Sequence, residues 1–72
     1  LERSTMKYQN LKKLRISLGI TVGKAAEEMF VTPQTICNIE SGRTVKESSL
    51  FYYELYLKYK KKYIEHYMEM NQ

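Results

Sequence analysis

What most constrains this chain is the stretch from Thr21 to Gly42, where the start and stop signals of two short helices stand only a turn apart. Ala25, Ala26 and Met29 recur three and four residues apart, on one side of a first helix over about Val22 to Met29. Thr21 is placed to cap it, and Val31 is expected to plug the turn that follows. Thr32 then suits an N-cap, because its hydroxyl can accept a free backbone N–H of the next first turn. Pro33 falls at the first helical position, where its missing N–H costs nothing and its φ is already helical. Ile36 and Ile39 repeat the inward spacing, and Ser41-Gly42 is a stop signal. Ala26 is small where two crossing helices need close backbone approach.

The flanks are helical too. Tyr8 to Leu18 predicts a helix with Leu11, Leu14 and Leu18 inward and Lys12 and Lys13 outward, ended by Gly19. Arg43, Thr44, Val45 and Lys46 read as a loop. Ser48 or Ser49 is expected to cap a segment with no Gly or Pro to stop it through Asn71. At about 100° per residue, Leu50, Tyr53, Leu57, Ile64 and Met68 share one arc of that segment. Tyr52, Tyr56, Tyr59, Tyr63, Tyr67 and Met70 share the adjacent one. Glu54, Lys58, Lys61, Glu65 and Glu69 fill most of the opposite side, with Glu54–Lys58 and Lys61–Glu65 at supporting i,i+4 spacing. Phe51 and Leu55 interrupt the polar side only near the start, which predicts first turns buried all round. Lys60 points into the apolar half, its stem along the tyrosines and its head in water. Unbroken from Ser49 to Met70, the segment would span roughly 33 Å. Either it folds back as two helices, or its far half meets a partner.

No repeat, linker or domain boundary interrupts the 72 residues. The expected architecture is a single all-α domain over 6–72, of four to five helices, with an extended C-terminal helical segment over 49–71. Leu1 to Thr5 precede Met6, which reads as a native start, and are taken as a cloning remnant.

The outward face of the second short helix carries Gln34, Thr35 and Asn38. Gln and Asn can pair bidentately with adenine, and Thr can meet a base edge or a thymine methyl. A helix that displays such groups after a tight turn is how small proteins enter the DNA major groove. The net charge of +4, from twelve Lys and Arg against eight Glu and no Asp, favours a polyanionic partner.

The pattern resembles the lambda-repressor-like, Cro/cI-type helix-turn-helix family over about residues 10–57. The residues that carry the likeness are Leu-Lys-Lys-Leu-Arg at 11–15, Leu18-Gly19-Ile20-Thr21, Ala26, Val31-Thr32-Pro33-Gln34-Thr35-Ile36 and Asn38-Ile39-Glu40-Ser41-Gly42-Arg43. The resemblance implies that Gln34, Thr35 and Asn38 read bases, and that Thr32, Arg43 and Lys46 touch phosphate. It also implies a partly buried ion pair between Arg15 and Glu40 that orients the recognition helix. Three departures stand out. Phe30 occupies a position where the family usually has Gly, which costs of order 1 kcal/mol or more if φ is positive, unless the turn differs or Phe30 packs on the C-terminal helix. Val22 replaces a frequent phosphate-binding Gln, and Gly23 weakens its helix by about 1 kcal/mol.

Other chemistries are poorly served. A single His66 and a single Cys37, with no Asp, cannot assemble a metal site, a disulfide framework or a catalytic triad, so neither an enzyme nor a cofactor is expected. Cys37 is expected to fill a small-residue position. No apolar run spans a bilayer, no signal-peptide pattern is present, and a charged face mixing Glu with Lys, without Trp, suits no membrane surface; a cytoplasmic location is expected. The Lys60-Lys61-Lys62 run reads as a solvated face. The tyrosine stripe reads either as intramolecular core or, preferentially, as a homodimer seam through Tyr52, Tyr56, Tyr59, Tyr63 and Tyr67. The expected function is a sequence-specific double-stranded DNA-binding transcriptional regulator, a repressor of phage or mobile-element type. The competing reading is an antitoxin-like or other protein-interaction module.

Overall fold

The computed structural model describes residues 8–43 and 46–70, and it is all-α. Four helices follow in order: α1 (Tyr8–Ser17), α2 (Val22–Met29), α3 (Pro33–Glu40) and α4 (Glu47–Met70). The expectations for Leu1 to Met6, Thr44, Val45 and Asn71 lie outside the described residues.

Local chemistry accounts for the short helices. The Thr21 hydroxyl accepts the Lys24 amide at 3.0 Å, and the Thr32 hydroxyl accepts the Thr35 amide at 3.2 Å, so both N-caps form as expected. Pro33 opens α3. Between the caps the chain turns through a left-handed residue, Phe30, at φ 59°. Its N–H bonds Glu27 O at 3.3 Å and the Val31 N–H bonds Ala26 O at 3.0 Å. This is the Schellman closure, which normally takes Gly because a Cβ crowds the left-handed backbone. The Phe30 ring gains nothing in return, since the residue is 95% exposed and does not pack on α4. Gly42, by contrast, is where Gly is needed: φ is +79°, and a Cβ there would stand 2.7 Å from the Tyr8 ring.

Leu11, Ile20, Ala25, Ala26, Ile36, Ile39, Tyr53 and Leu57 form the core, with Leu14, Leu18, Val22, Met29, Leu50 and Tyr56 packed around it. Val31 does not plug the turn. It is surface-exposed at the rim of a shallow cavity with Met29, Thr35, Ile39, Ser49 and Tyr52.

α4 is one unbroken helix of 24 residues, about 36 Å long, so the described residues form four helices and α4 does not fold back. It begins at Glu47 rather than with a serine cap. The Lys46 carbonyl takes the amides of Ser49 and Leu50, and Glu47 places a negative charge in the first turn, where the helix dipole favours it. Its first turns are not buried all round, because Leu55 remains 47% exposed. Glu54, expected on the polar side, is buried, and its carboxylate takes the Lys58 ammonium at 2.6 Å. The arc that α4 turns inward is wider than its apolar residues mark out. Lys60 does not leave its head in water: its ammonium lies 3.2 Å from the Glu28 carboxylate. Tyr56 donates to the same carboxylate at 2.6 Å, so α2 and α4 are tied by a half-buried polar clasp. Those two donors, Tyr56 first, hold the Glu28 carboxyl below its ordinary 4.5. Met68, on the arc that faces the core nearer the start of α4, is 60% exposed because the globule ends before it.

One buried polar cluster joins three helices. Arg15 Nε and Nη2 donate to the two Glu40 oxygens at 2.6 and 3.1 Å, and Nη1 donates to Ile20 O at 2.8 Å. The fully buried Tyr53 of α4 donates its hydroxyl to the same Glu40 carboxylate. The bond from Arg15 to Glu40 is the main reason the Arg15 pKa is raised, while burial above all pushes the Tyr53 phenol up. Among the described residues no buried side-chain polar atom lacks a partner.

Two stability measurements follow. Phe30→Gly should raise stability by about 1 kcal/mol, lifting the melting midpoint by roughly 4–8 °C; an unchanged midpoint would mean that the ring makes a stabilising contact. In urea unfolding, Glu40→Ala should cost about 3–5 kcal/mol, because it strands Arg15, and Tyr53→Phe about 1–3 kcal/mol. The reverse order would place the weight on the phenol rather than the carboxylate.

Candidate nucleic-acid interface

α3 is held by its inner face, where Ile36, Ile39 and Glu40 are buried. The outer face is therefore set by the helical period, opposite those three. Gln34 and Asn38 lie there, one turn apart, and Gln34 Nε2 donates to Asn38 Oδ1 at 3.0 Å. The bond leaves the Gln34 carbonyl oxygen and the Asn38 amide N–H groups free, so the pair presents an acceptor and donors from one linked unit. Two side chains that restrain each other lose less freedom on meeting a ligand than two independent ones.

Thr35 is not brought to this face. It is half-buried, its hydroxyl is 2.9 Å from that of Thr32, and it lines the cavity under the turn. Thr32 is exposed and already accepts the Thr35 amide. With the Thr35 hydroxyl as donor, the Thr32 proton is free for an outside acceptor such as a phosphate oxygen.

Arg43 and Lys46 are both exposed on the segment after α3, and the Arg43 amide bonds Asn38 O at 2.9 Å. That bond ties the backbone of the candidate phosphate contact to the carbonyl of a candidate reading residue. Arg15 and Glu40 form the pair that the resemblance implied, more deeply buried than expected. Of the tyrosines, Tyr56 is half-buried on Glu28 and Tyr52 lines the turn cavity, while Tyr59, Tyr63 and Tyr67 are 65, 55 and 59% exposed.

Two outer-face residues were overlooked in the sequence. Cys37 is exposed, and it shares with Ser41 a shallow depression that Lys12 also lines. Stepping 100° per residue along α3 would have grouped Cys37 and Ser41 with Gln34 and Asn38. Lys12 adds a positive charge beside that face. The only acid on α3, Glu40, is buried and paired, so the outer surface of the helix carries no negative side chain.

Among the described residues, no three His, Cys, Asp or Glu side chains come together as a metal site would require. No described helix is long and apolar enough to cross a membrane. Comparison with family models, curated proteins and solved structures returned no match.

The Thr32 cap can be tested without any ligand. Thr32→Ala should cost about 1 kcal/mol in thermal or urea unfolding, and Thr32→Ser should recover most of it. Equal losses in both variants would assign the cost to the missing methyl group rather than the hydroxyl.

Proposed function

We propose that this chain is a sequence-specific double-stranded DNA-binding protein of the helix-turn-helix kind, a cytoplasmic transcriptional regulator acting as a repressor of phage or mobile-element type. The observation that carries the reading is the outer face of α3: a linked Gln34–Asn38 amide pair, free of acid, with Lys12 lining the depression beside it and the exposed Arg43 and Lys46 following the helix in sequence. The net charge of +4 supports a polyanionic partner. The resemblance to the Cro/cI-type family over residues 10–57 supports the same assignment.

In mechanism, α3 lies in the major groove with Gln34 and Asn38 toward base edges, while Thr32, Arg43 and Lys46 meet the flanking phosphates. Thr35 contributes through the N-cap rather than as an independent reader. A homodimer would place two α3 helices one helical turn apart, about 34 Å, on a pseudo-palindromic site. Occupying that site blocks polymerase. Affinity carried by phosphate contacts falls with salt.

Selection from a random duplex pool at moderate salt should enrich an inverted repeat with half-sites about 10 bp apart. On the selected site Asn38→Ala or Gln34→Ala should cost about 1–3 kcal/mol and relax one base position. The double variant should lose less than the sum, because the two side chains share a hydrogen bond. Arg43→Ala should weaken binding to all sequences and lower the salt slope by about one. If a folded protein enriches nothing, the antitoxin-like reading takes precedence; the exposed Phe30 and the tyrosines of α4 are the features that favour it.

A further inference from the structure

α4 carries a second periodicity that the globule does not use. Tyr52, Tyr56, Tyr59, Tyr63, His66 and Met70 are separated by steps of four, three, four, three and four residues. That alternation is the 3.5-residue period of a coiled-coil seam, distinct from the arc of Tyr53 and Leu57 that meets the core. Of the first two seam positions, Tyr52 borders the cavity under the turn and Tyr56 is engaged within the chain by the Glu28 carboxylate. From Tyr59 onward the seam is open: Tyr59, Tyr63 and Met70 are 65, 55 and 70% exposed, and His66 is exposed.

We infer that this open seam docks the same segment of a second copy, with the two α4 helices antiparallel. Charge selects both the occupant and its direction. Lys62 and Glu69 lie seven residues apart along one edge of the seam, and both are exposed. With the two-fold axis between Tyr63 and His66, Lys62 of each copy meets Glu69 of the other, giving two opposite-charge pairs. Tyr63 then faces His66 of the second copy, and Met70 faces Tyr59. A parallel pair forgoes both charge contacts, setting Lys62 against a tyrosine and stacking the two imidazoles on each other. The other edge is compatible as well, because Lys60 is held by Glu28 and lies 5.9 Å above the Tyr63 ring, so its charge is already partnered. An aromatic side chain buries about 150–250 Å² when fully enclosed. Covering Tyr59, Tyr63, Tyr67 and Met70 on both copies therefore removes on the order of 1,000 Å² from water, the lower bound of specific interfaces. The dimer is accordingly concentration-dependent. No residue of α3 takes part, so base reading by α3 does not require it, although the inverted-repeat spacing proposed above does require a dimer.

Sedimentation equilibrium of the whole chain at low ionic strength, without DNA, tests this. The unmodified protein should pass from monomer to dimer as its concentration rises. Tyr63→Glu should be monomeric, with its helical circular dichroism retained because the residue lies outside the core. Lys62→Glu should weaken the dimer about tenfold or more, and adding Glu69→Lys to it should restore the dimer. A chain that stays monomeric at every concentration overturns the proposal, as does a dimer indifferent to Tyr63→Glu. A dimer that Lys62→Glu leaves unchanged overturns the antiparallel arrangement, because a parallel seam brings no acid opposite that position. None of these results bears on whether α3 selects a DNA sequence, so the two readings can fail separately.

Discussion

The Glu40 carboxylate is the joint on which the rest of the fold depends. It lies at the end of α3, yet it accepts hydrogen bonds from Arg15 of α1 and Tyr53 of α4, so one anion sets the rotation of α3 against two other helices. Desolvation offsets much of the attraction in such a cluster, and apolar residues of equal volume could hold the helices as firmly. What apolar packing would not provide is direction. One bidentate guanidinium pair and a phenol on the same carboxylate leave little freedom for α3 to roll, and its roll decides which side chains face outward. Gln34 and Asn38 are presented, and Thr35 is not, because Glu40, Ile36 and Ile39 are inward together.

Against that firm joint, the connection from α2 to α3 is built from unfavourable parts. α2 is eight residues long and carries Gly23, with no neighbouring atom within 4 Å of where a Cβ would sit. It closes on a left-handed Phe30. Helices this short draw their stability from tertiary contacts rather than propensity. For α2 those contacts are Ala25 and Ala26 in the core and the clasp of Glu28 with Tyr56 and Lys60. The clasp therefore does for α2 what Glu40 does for α3: α4 reaches back to both helices through a carboxylate.

These differences in construction explain what could be read from the chain beforehand. The two caps, Pro33, the bounds of α2 and α3, and the inward Ala25, Ala26, Ile36 and Ile39 follow from bonds and periods within a few residues, and all appear as expected. The Arg15–Glu40 pair spans 25 positions and was foreseen through the family resemblance alone. Glu54 and Lys60 were misplaced for different reasons. Lys60 was assigned to water from its polarity, whereas its head is held by Glu28; Glu54 keeps its expected pairing with Lys58 but is buried, because the arc that α4 turns inward extends over it. Polar residues give a sequence pattern no way to distinguish solvent from a buried partner. Phe30 is the converse case. Its left-handed backbone was anticipated as a possibility, but nothing local says whether a large ring finds a surface to cover.

α4 raises a different physical question, which is why its last ten residues stay helical after the globule has ended. The costly step in forming a helix is nucleation, and here it is complete once Tyr53, Glu54 and Leu57 are packed. Each further residue then adds a backbone hydrogen bond for the ordering of a single φ,ψ pair. Lys, Glu, Met and Tyr extend a helix with modest loss, and no Gly or Pro interrupts them. The extension is inherently weaker than the root, because none of its residues is fully buried. It is also rigidly aimed, since the root is fixed on one side by Glu40 and on the other by Glu28. A surface that is held straight but left uncovered loses little conformational entropy when something covers it. A seam of only three open turns can thus support an association that the same residues, on an unanchored segment, could not.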